Sequence, residues 1–100
     1  MKHVTQKMTQ EMLTALAAAL VSITSAEEME RFLRELLTDS ELRDVALRWE
    51  LMRLLDQGVT QRKISEDMKI SLCKITRGSR ILKEPGSVCA RMLKGDTARR

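Results

Sequence analysis

The stretch Thr60–Lys83, TQRKISEDMKISLCKITRGSRILK, carries seven Lys or Arg residues against two acids and yet has the apolar spacing of folded helices. Thr60 and Ser71 are N-cap residue types, each followed by a run that can continue as helix, so the spacing predicts two short helices, 61–68 and 72–83, joined by a short turn. That is the helix-turn-helix pattern, and its geometry makes demands on particular positions. Ile64 supplies the apolar residue where the first helix meets the second, and Ser65 the small residue at their crossing. Met68 and Ile70 flank the turn and point inward, while Leu72, Ile75 and Leu82 can face back to a core. The outer face is then Lys74, Arg77, Ser79, Arg80 and Lys83, with Gln61 and Arg62 at the start of the first helix. Those side chains hold the donors that phosphates and guanine edges accept. The turn lacks the glycine that commonly supplies a positive φ; Lys69 stands there instead, which predicts strain or a different turn. The same pattern also fits a pair of core-packing helices with a solvated basic face.

A second feature lies inside the later helix, in "ITRGS". Gly78 in a helix interior costs about 1 kcal/mol relative to alanine, so something must approach closely where its side chain is missing. Arg77 beside it offers a guanidinium, and together they make a candidate seat for a small anion-bearing ligand.

Outward from this stretch the chain is helical throughout. It has 100 residues, enough for one domain or one subunit of a larger assembly. Phe32 and Trp49 are its only aromatics, and its apolar mass is Leu, Met, Ile, Val and Ala, the composition of packed helices rather than of a sheet. Met8, Met12, Leu16, Leu20 and Ile23 recur at helical spacing, predicting a first helix over 5–24. "SAEE" at 25–28 and "TDSE" at 38–41 read as capping boxes opening a second helix to Leu37 and a third to Gln57, where Gly58 caps it. "EPG" at 84–86 breaks the chain before a last helix over 87–94, and 95–100 reads as a tail ending in Arg99 and Arg100. The expected organisation is all-α, one domain over 1–100, with core helices at 5–57 and the basic pair at 60–83. The third helix is apolar on more than one side, from Leu42 through Val45, Trp49 and Leu51 to Leu55. A helix apolar around most of its surface must be enclosed, and so short a chain encloses it best by interleaving with a second copy. Trp49 is expected in the core or the dimer contact.

Charge sharpens the reading. Residues 1–57 hold 7 Lys/Arg and 10 Asp/Glu, for −3, and residues 58–100 hold 11 and 4, for +7, which sum to the net +4. A basic half beside an acidic one suggests a polyanionic partner. Cys73 and Cys89 form no zinc spacing and no disulfide framework, so both are expected as reduced thiols in a cytoplasmic protein. "MLTALAAALVSI" at 12–23 is too short for a membrane span and has no signal-peptide pattern. His3 is the only histidine, and no phosphate loop or metal-ligand spacing is present, so neither catalysis nor a metal is expected.

"LTDSELRDVALRW", "TQRKIS" and "ITRGSRILK" together resemble the Trp repressor family, over roughly residues 30–84, with "ITRGS" the most specific piece. The resemblance implies a six-helix subunit, an intertwined homodimer and a helix-turn-helix that reads operator DNA, with L-tryptophan as corepressor and no other cofactor. It implies that Arg48 and Arg77 sandwich the indole, that Arg77 also meets the carboxylate, that Thr38 contributes from the other subunit and that Gly78 leaves room for the ring. A guanidinium stacks on an indole face and pairs with a carboxylate, which a lysine does less well. Two positions depart from the family: Ile81 stands where a serine near the ligand's ammonium is common, and Arg80 where asparagine is common. On the DNA side, Arg62, Lys74, Arg77, Arg80 and Lys83 are expected on the backbone, and Gln61, Leu72, Cys73 and Thr76 at the bases. Cys73 also raises the prospect of oxidation-sensitive binding. The function expected is a tryptophan-activated repressor of tryptophan biosynthesis or uptake genes. The alternatives are a ligand-independent DNA binder of the same superfamily and a helical module that meets an acidic protein.

Overall fold

The computed structural model describes residues 3–98, and the side chains of residues 3–95. The expected tail residues Arg99 and Arg100 lie outside the described residues. The described chain is all-helical: α1 (Gln6–Ser22), α2 (Ala26–Leu36), α3 (Asp39–Asp56), α4 (Gln61–Met68), α5 (Leu72–Lys83) and α6 (Val88–Ala98). The last helix therefore runs past Lys94, since Gly95 is accommodated within it. No helix among the described residues is long and apolar enough to cross a membrane.

The chain divides into two compact units, Met1–Leu42 and Arg43–Arg100. In the first, local chemistry sets the boundaries. Thr5 Oγ1 accepts from the Met8 amide at 3.1 Å, and Ser25 Oγ from the Glu28 amide at 3.0 Å. At the start of α3 both arms of the capping box close: Thr38 Oγ1 accepts from the Glu41 amide at 3.1 Å, and Glu41 Oε1 accepts from the Thr38 amide at 2.9 Å. Packing is another matter, because neither α1 nor α2 buries a single residue. Met8 and Met12 of the apolar stripe are exposed, as are Leu13, Val21 and Leu36.

The second unit has a core. Leu51 of α3, Ile64 of α4 and Ile75 of α5 are buried together, with Leu54, Leu55, Val59, Met68 and Ile70 packed around them. Burial of each such side chain stabilises the fold by about 1.5–3 kcal/mol. The helical spacing placed Ile64 and Ile75 correctly, and Leu93 of α6 is buried as well. Leu72 is 57% exposed at the first position of α5, so of its two expected placements, toward a core or toward bases, the core one does not hold; the packed face of that helix begins a turn later, at Ile75. Trp49, expected in the core or the dimer contact, is 40% exposed in one chain and so is not a core residue of the subunit, and Val45 on the same helix is 49% exposed.

Two backbone devices orient the α4–α5 pair. At the end of α3, Gly58 takes φ +87°, while the Val59 amide donates to Leu54 O and the Gly58 amide to Leu55 O, both at 3.1 Å. These are the paired bonds of a Schellman ending, and the side chains of Val59 and Leu54 meet the same core cluster. Between α4 and α5, Lys69 adopts the left-handed conformation, φ 54° and ψ 41°, where glycine is commoner. The chain keeps the turn geometry and accepts a backbone cost of about 1–2 kcal/mol. Ser65 holds the turn from below: its hydroxyl donates to Ile70 O at 3.0 Å. Helix α5 packs on both α4 and α6.

Candidate functional site

A cavity of about 150 Å³ opens between α3 and α5 within the second unit. Arg48, Leu51 and Met52 line it from α3, and Lys74, Arg77 and Gly78 from α5. The lining follows from helix periodicity. Arg48, Leu51 and Met52 are spaced i, i+3, i+4 on one face, and so are Lys74, Arg77 and Gly78 on the facing helix. Leu51 and Met52 are the buried residues of α3 and make an apolar floor, while three cationic side chains surround it. A cavity of this size holds one aromatic ring.

Gly78 has two roles here. A Cβ built on it would stand 3.0 Å from Met52 Sδ and 3.3 Å from Leu55 Cδ1, so its missing side chain lets α5 approach α3. It also lines the cavity beside that contact. Arg48 is exposed and has no ion pair among the described residues; Glu50, two residues on, is engaged by Arg53 at 2.7 Å instead. Arg77 and Lys74 are likewise exposed and without an ion pair among the described residues. Of the residues the sequence singled out for a ligand, the structure brings Arg48, Arg77 and Gly78 together. Ile81 is half-buried further along α5 and does not line the cavity. Thr38 is the N-cap of α3 in the first unit, and hydrogen bonding from its backbone amide first and its side chain second holds the Glu41 carboxyl below its usual pKa.

Sequence reasoning assigned Lys74 outward and did not name Leu51 or Met52 for the cavity. The signal for Lys74 was present, three and four residues before Arg77 and Gly78. For the two α3 residues there was none, since local pattern does not say which turn of α3 meets a glycine on another helix.

The other surface of the α4–α5 pair is polar and basic. Leu72, Cys73, Lys74, Thr76, Arg77, Arg80 and Lys83 are all exposed on α5, and Arg62 on α4. The Thr76 hydroxyl donates to Gln61 Oε1 at 3.4 Å, tying the start of α4 to the middle of α5 and leaving the Gln61 amide NH₂ group as a donor. Arg62 and Lys63 pair with Glu66 and Asp67 at 3.6 and 3.2 Å along α4. Such exposed i, i+4 pairs are worth about 0.3–0.5 kcal/mol and yield readily to a stronger anion. Cys73 is exposed and Cys89 half-buried, both as free thiols. Among the described residues no group of His, Cys, Asp and Glu side chains is placed to hold a metal ion.

A family model described as Trp repressor protein matches residues 10–96. A Trp operon repressor homolog of Chlamydia trachomatis serovar D is 41% identical over 70 residues, which span 65% of this chain and 74% of the relative. A Trp operon repressor homolog of Actinobacillus succinogenes is 44% identical over 55 residues, 54% of each chain. No solved structure matches the chain.

Proposed function

We propose that this chain, which belongs to the Trp repressor family, is a homodimeric DNA-binding repressor whose operator affinity is raised by L-tryptophan. The observation that carries the ligand is the cavity that Arg48 and Arg77 line together with the apolar Leu51 and Met52. The indole stacks between the guanidinium groups, and Arg77 pairs with the carboxylate. A ligand can switch the protein only by favouring one arrangement over another. Wedged between α3 and α5, it favours the setting of α5 in which its basic face meets DNA.

The α4–α5 pair then acts as the helix-turn-helix, with α5 in the major groove. Arg62, Lys74, Arg77, Arg80 and Lys83 neutralise phosphates; Gln61, Leu72, Cys73 and Thr76 lie toward base edges. A second copy supplies the second reading head about one helical turn away, roughly 34 Å, as in helix-turn-helix dimers, Trp repressor among them. Support for that copy comes from the apolar surface one chain leaves uncovered: Val21 at 82%, with Met12, Leu13, Val45 and Trp49. The regulated genes are those of tryptophan biosynthesis or uptake.

Calorimetric titration of L-tryptophan, with Arg77→Ala as control, tests the reading. Saturable binding near one ligand per chain, lost in the control, is expected. Operator affinity should rise with the ligand and fall as salt rises, because bound cations are released from the phosphates. A second reading, DNA binding without any ligand, is favoured by the cavity lining, none of whose side chains offers the ligand's ammonium an acceptor. Operator affinity that ignores tryptophan would select it.

A further inference from the structure

Lys74 stands in two places at once. It lines the main cavity beside Arg77, and it lines a smaller adjoining cavity of about 30 Å³ with Asp44, Leu47, Arg48, Leu51 and Ile70. No acidic side chain lines the main cavity, so its three cations have no counter-charge there. Asp44, the acid of the smaller cavity, makes no ion pair with Lys74 or Arg48. Like charges gathered at an apolar recess focus a positive potential into it, which favours an anionic group on whatever enters. Lys74 and Arg77 are three residues apart on one helix face, about 5–6 Å between Cβ atoms, so both side chains can reach one carboxylate.

We propose that Lys74 is a specificity-determining residue of this cavity, closing with Arg77 a two-cation clamp on the carboxylate of a bound aromatic acid. The inference rests on the ligand-gated reading above and adds to it the group that selects acids over amines. Arg48 is left to the ring face, and the ligand's ammonium is not read by any side chain of the main cavity.

The experiment is calorimetry on the full chain without DNA, which removes any contribution of Lys74 to phosphate binding. Three probes are titrated: L-tryptophan, indole-3-propionate, which keeps the carboxylate and lacks the ammonium, and tryptamine, which lacks the carboxylate. Lys74→Met keeps the length of the side chain and removes the charge; Lys74→Arg keeps the charge. Lys74→Met is expected to weaken both carboxylates about tenfold and not to weaken the cationic tryptamine, with Lys74→Arg close to the parent. A purely structural role would weaken all three probes together. Equal affinities for Lys74→Met and the parent protein would overturn the clamp while leaving the tryptophan reading in place. A parent protein that binds none of the three would overturn both.

Discussion

Replacing Gly78 by alanine separates what this position does for folding from what it does for the proposed ligand. The new methyl would lie 3.0 Å from Met52 Sδ, 3.3 Å from Leu55 Cδ1 and 3.7 Å from Leu51 Cδ2. Non-bonded carbons settle near 3.5–4.0 Å, so Met52 must give by about half an ångström and Leu55 by less. Overpacking of this kind costs about 1–3 kcal/mol in a rigid core. Here the tightest contact is the far end of a thioether with three rotatable bonds, which places the cost at the low end. Against it stands a gain of about 1 kcal/mol for alanine over glycine inside α5. The two nearly cancel. Stability should stay within about 1 kcal/mol of the parent, a shift in Tm of no more than about 4–8 °C.

The ligand has no such compensation. Met52 and Gly78 both line the cavity, so the added methyl and the displaced Sδ both draw on its volume of about 150 Å³. L-Tryptophan affinity should therefore fall at least tenfold, or about 1.4 kcal/mol, in a protein that unfolds almost as before. Urea denaturation and calorimetry on one preparation read both quantities. Met52→Ala combined with Gly78→Ala removes the steric conflict, and the pair should show a coupling energy of about 0.5–3 kcal/mol in stability. If Gly78→Ala lost more than about 3 kcal/mol of stability, the close approach of α3 would be its whole role. Parent-like affinity at parent-like stability would refute the cavity as the ligand's seat.

Three further outcomes follow from single residues. Lys69→Gly, at φ 54°, should raise stability by about 1 kcal/mol in urea denaturation; a loss would mean that the Lys69 side chain, not its backbone, holds the turn. The Glu41 carboxyl is held below its usual value by the Thr38 amide first and the Thr38 hydroxyl contact second, so its contribution to stability is present above the unfolded value of 4.5 and is lost as pH falls through the lower folded one. Melting curves of the parent and Glu41→Gln should accordingly differ near neutral pH and converge in acid, and curves that diverge in acid would contradict the capping assignment. Trp49, the single tryptophan at 40% exposure in one chain, should show blue-shifted emission in the dimer that moves red on dilution; emission that stays red at all concentrations would remove α3 from the dimer contact.

The boundaries of the helices were legible because their causes are local. Ser25, Thr38, Thr60 and Ser71 each cap the helix that follows through a bond three residues ahead. Gly58 ends α3 through its own positive φ, and Ile64 and Ile75 announced themselves by spacing. Lys69 shows where local rules stop. A side-chain preference against the left-handed region is worth only about 1–2 kcal/mol. The Ser65 hydroxyl bond to Ile70 O and the burial of Ile64 and Ile75 on either side of the turn exceed it. The geometry the turn needs is thus imposed by its surroundings on a residue that does not favour it.

The cavity was half legible for a related reason. Periodicity tells which residues share a face, and it placed Lys74, Arg77 and Gly78 together on α5. It does not tell how far along a helix the packed face extends, which is why spacing alone allowed Leu72 both a core and an outer placement and the structure leaves it 57% exposed. Lys74 was expected on the outer face and is exposed there, and it lines the cavity as well. A long side chain of this type can cover apolar surface with its stem and keep its ammonium in water. The uncovered apolar faces of α1, α2 and α3 extend the point from one side chain to the whole chain. The apolar surface of the third helix predicts enclosure, and in one chain Val45 on it is 49% exposed; Met12 and Val21 of α1, read only as amphipathic, are exposed as well. Covering those faces is what the proposed second copy would do, since exposed apolar area of this kind is stabilised by removal from water.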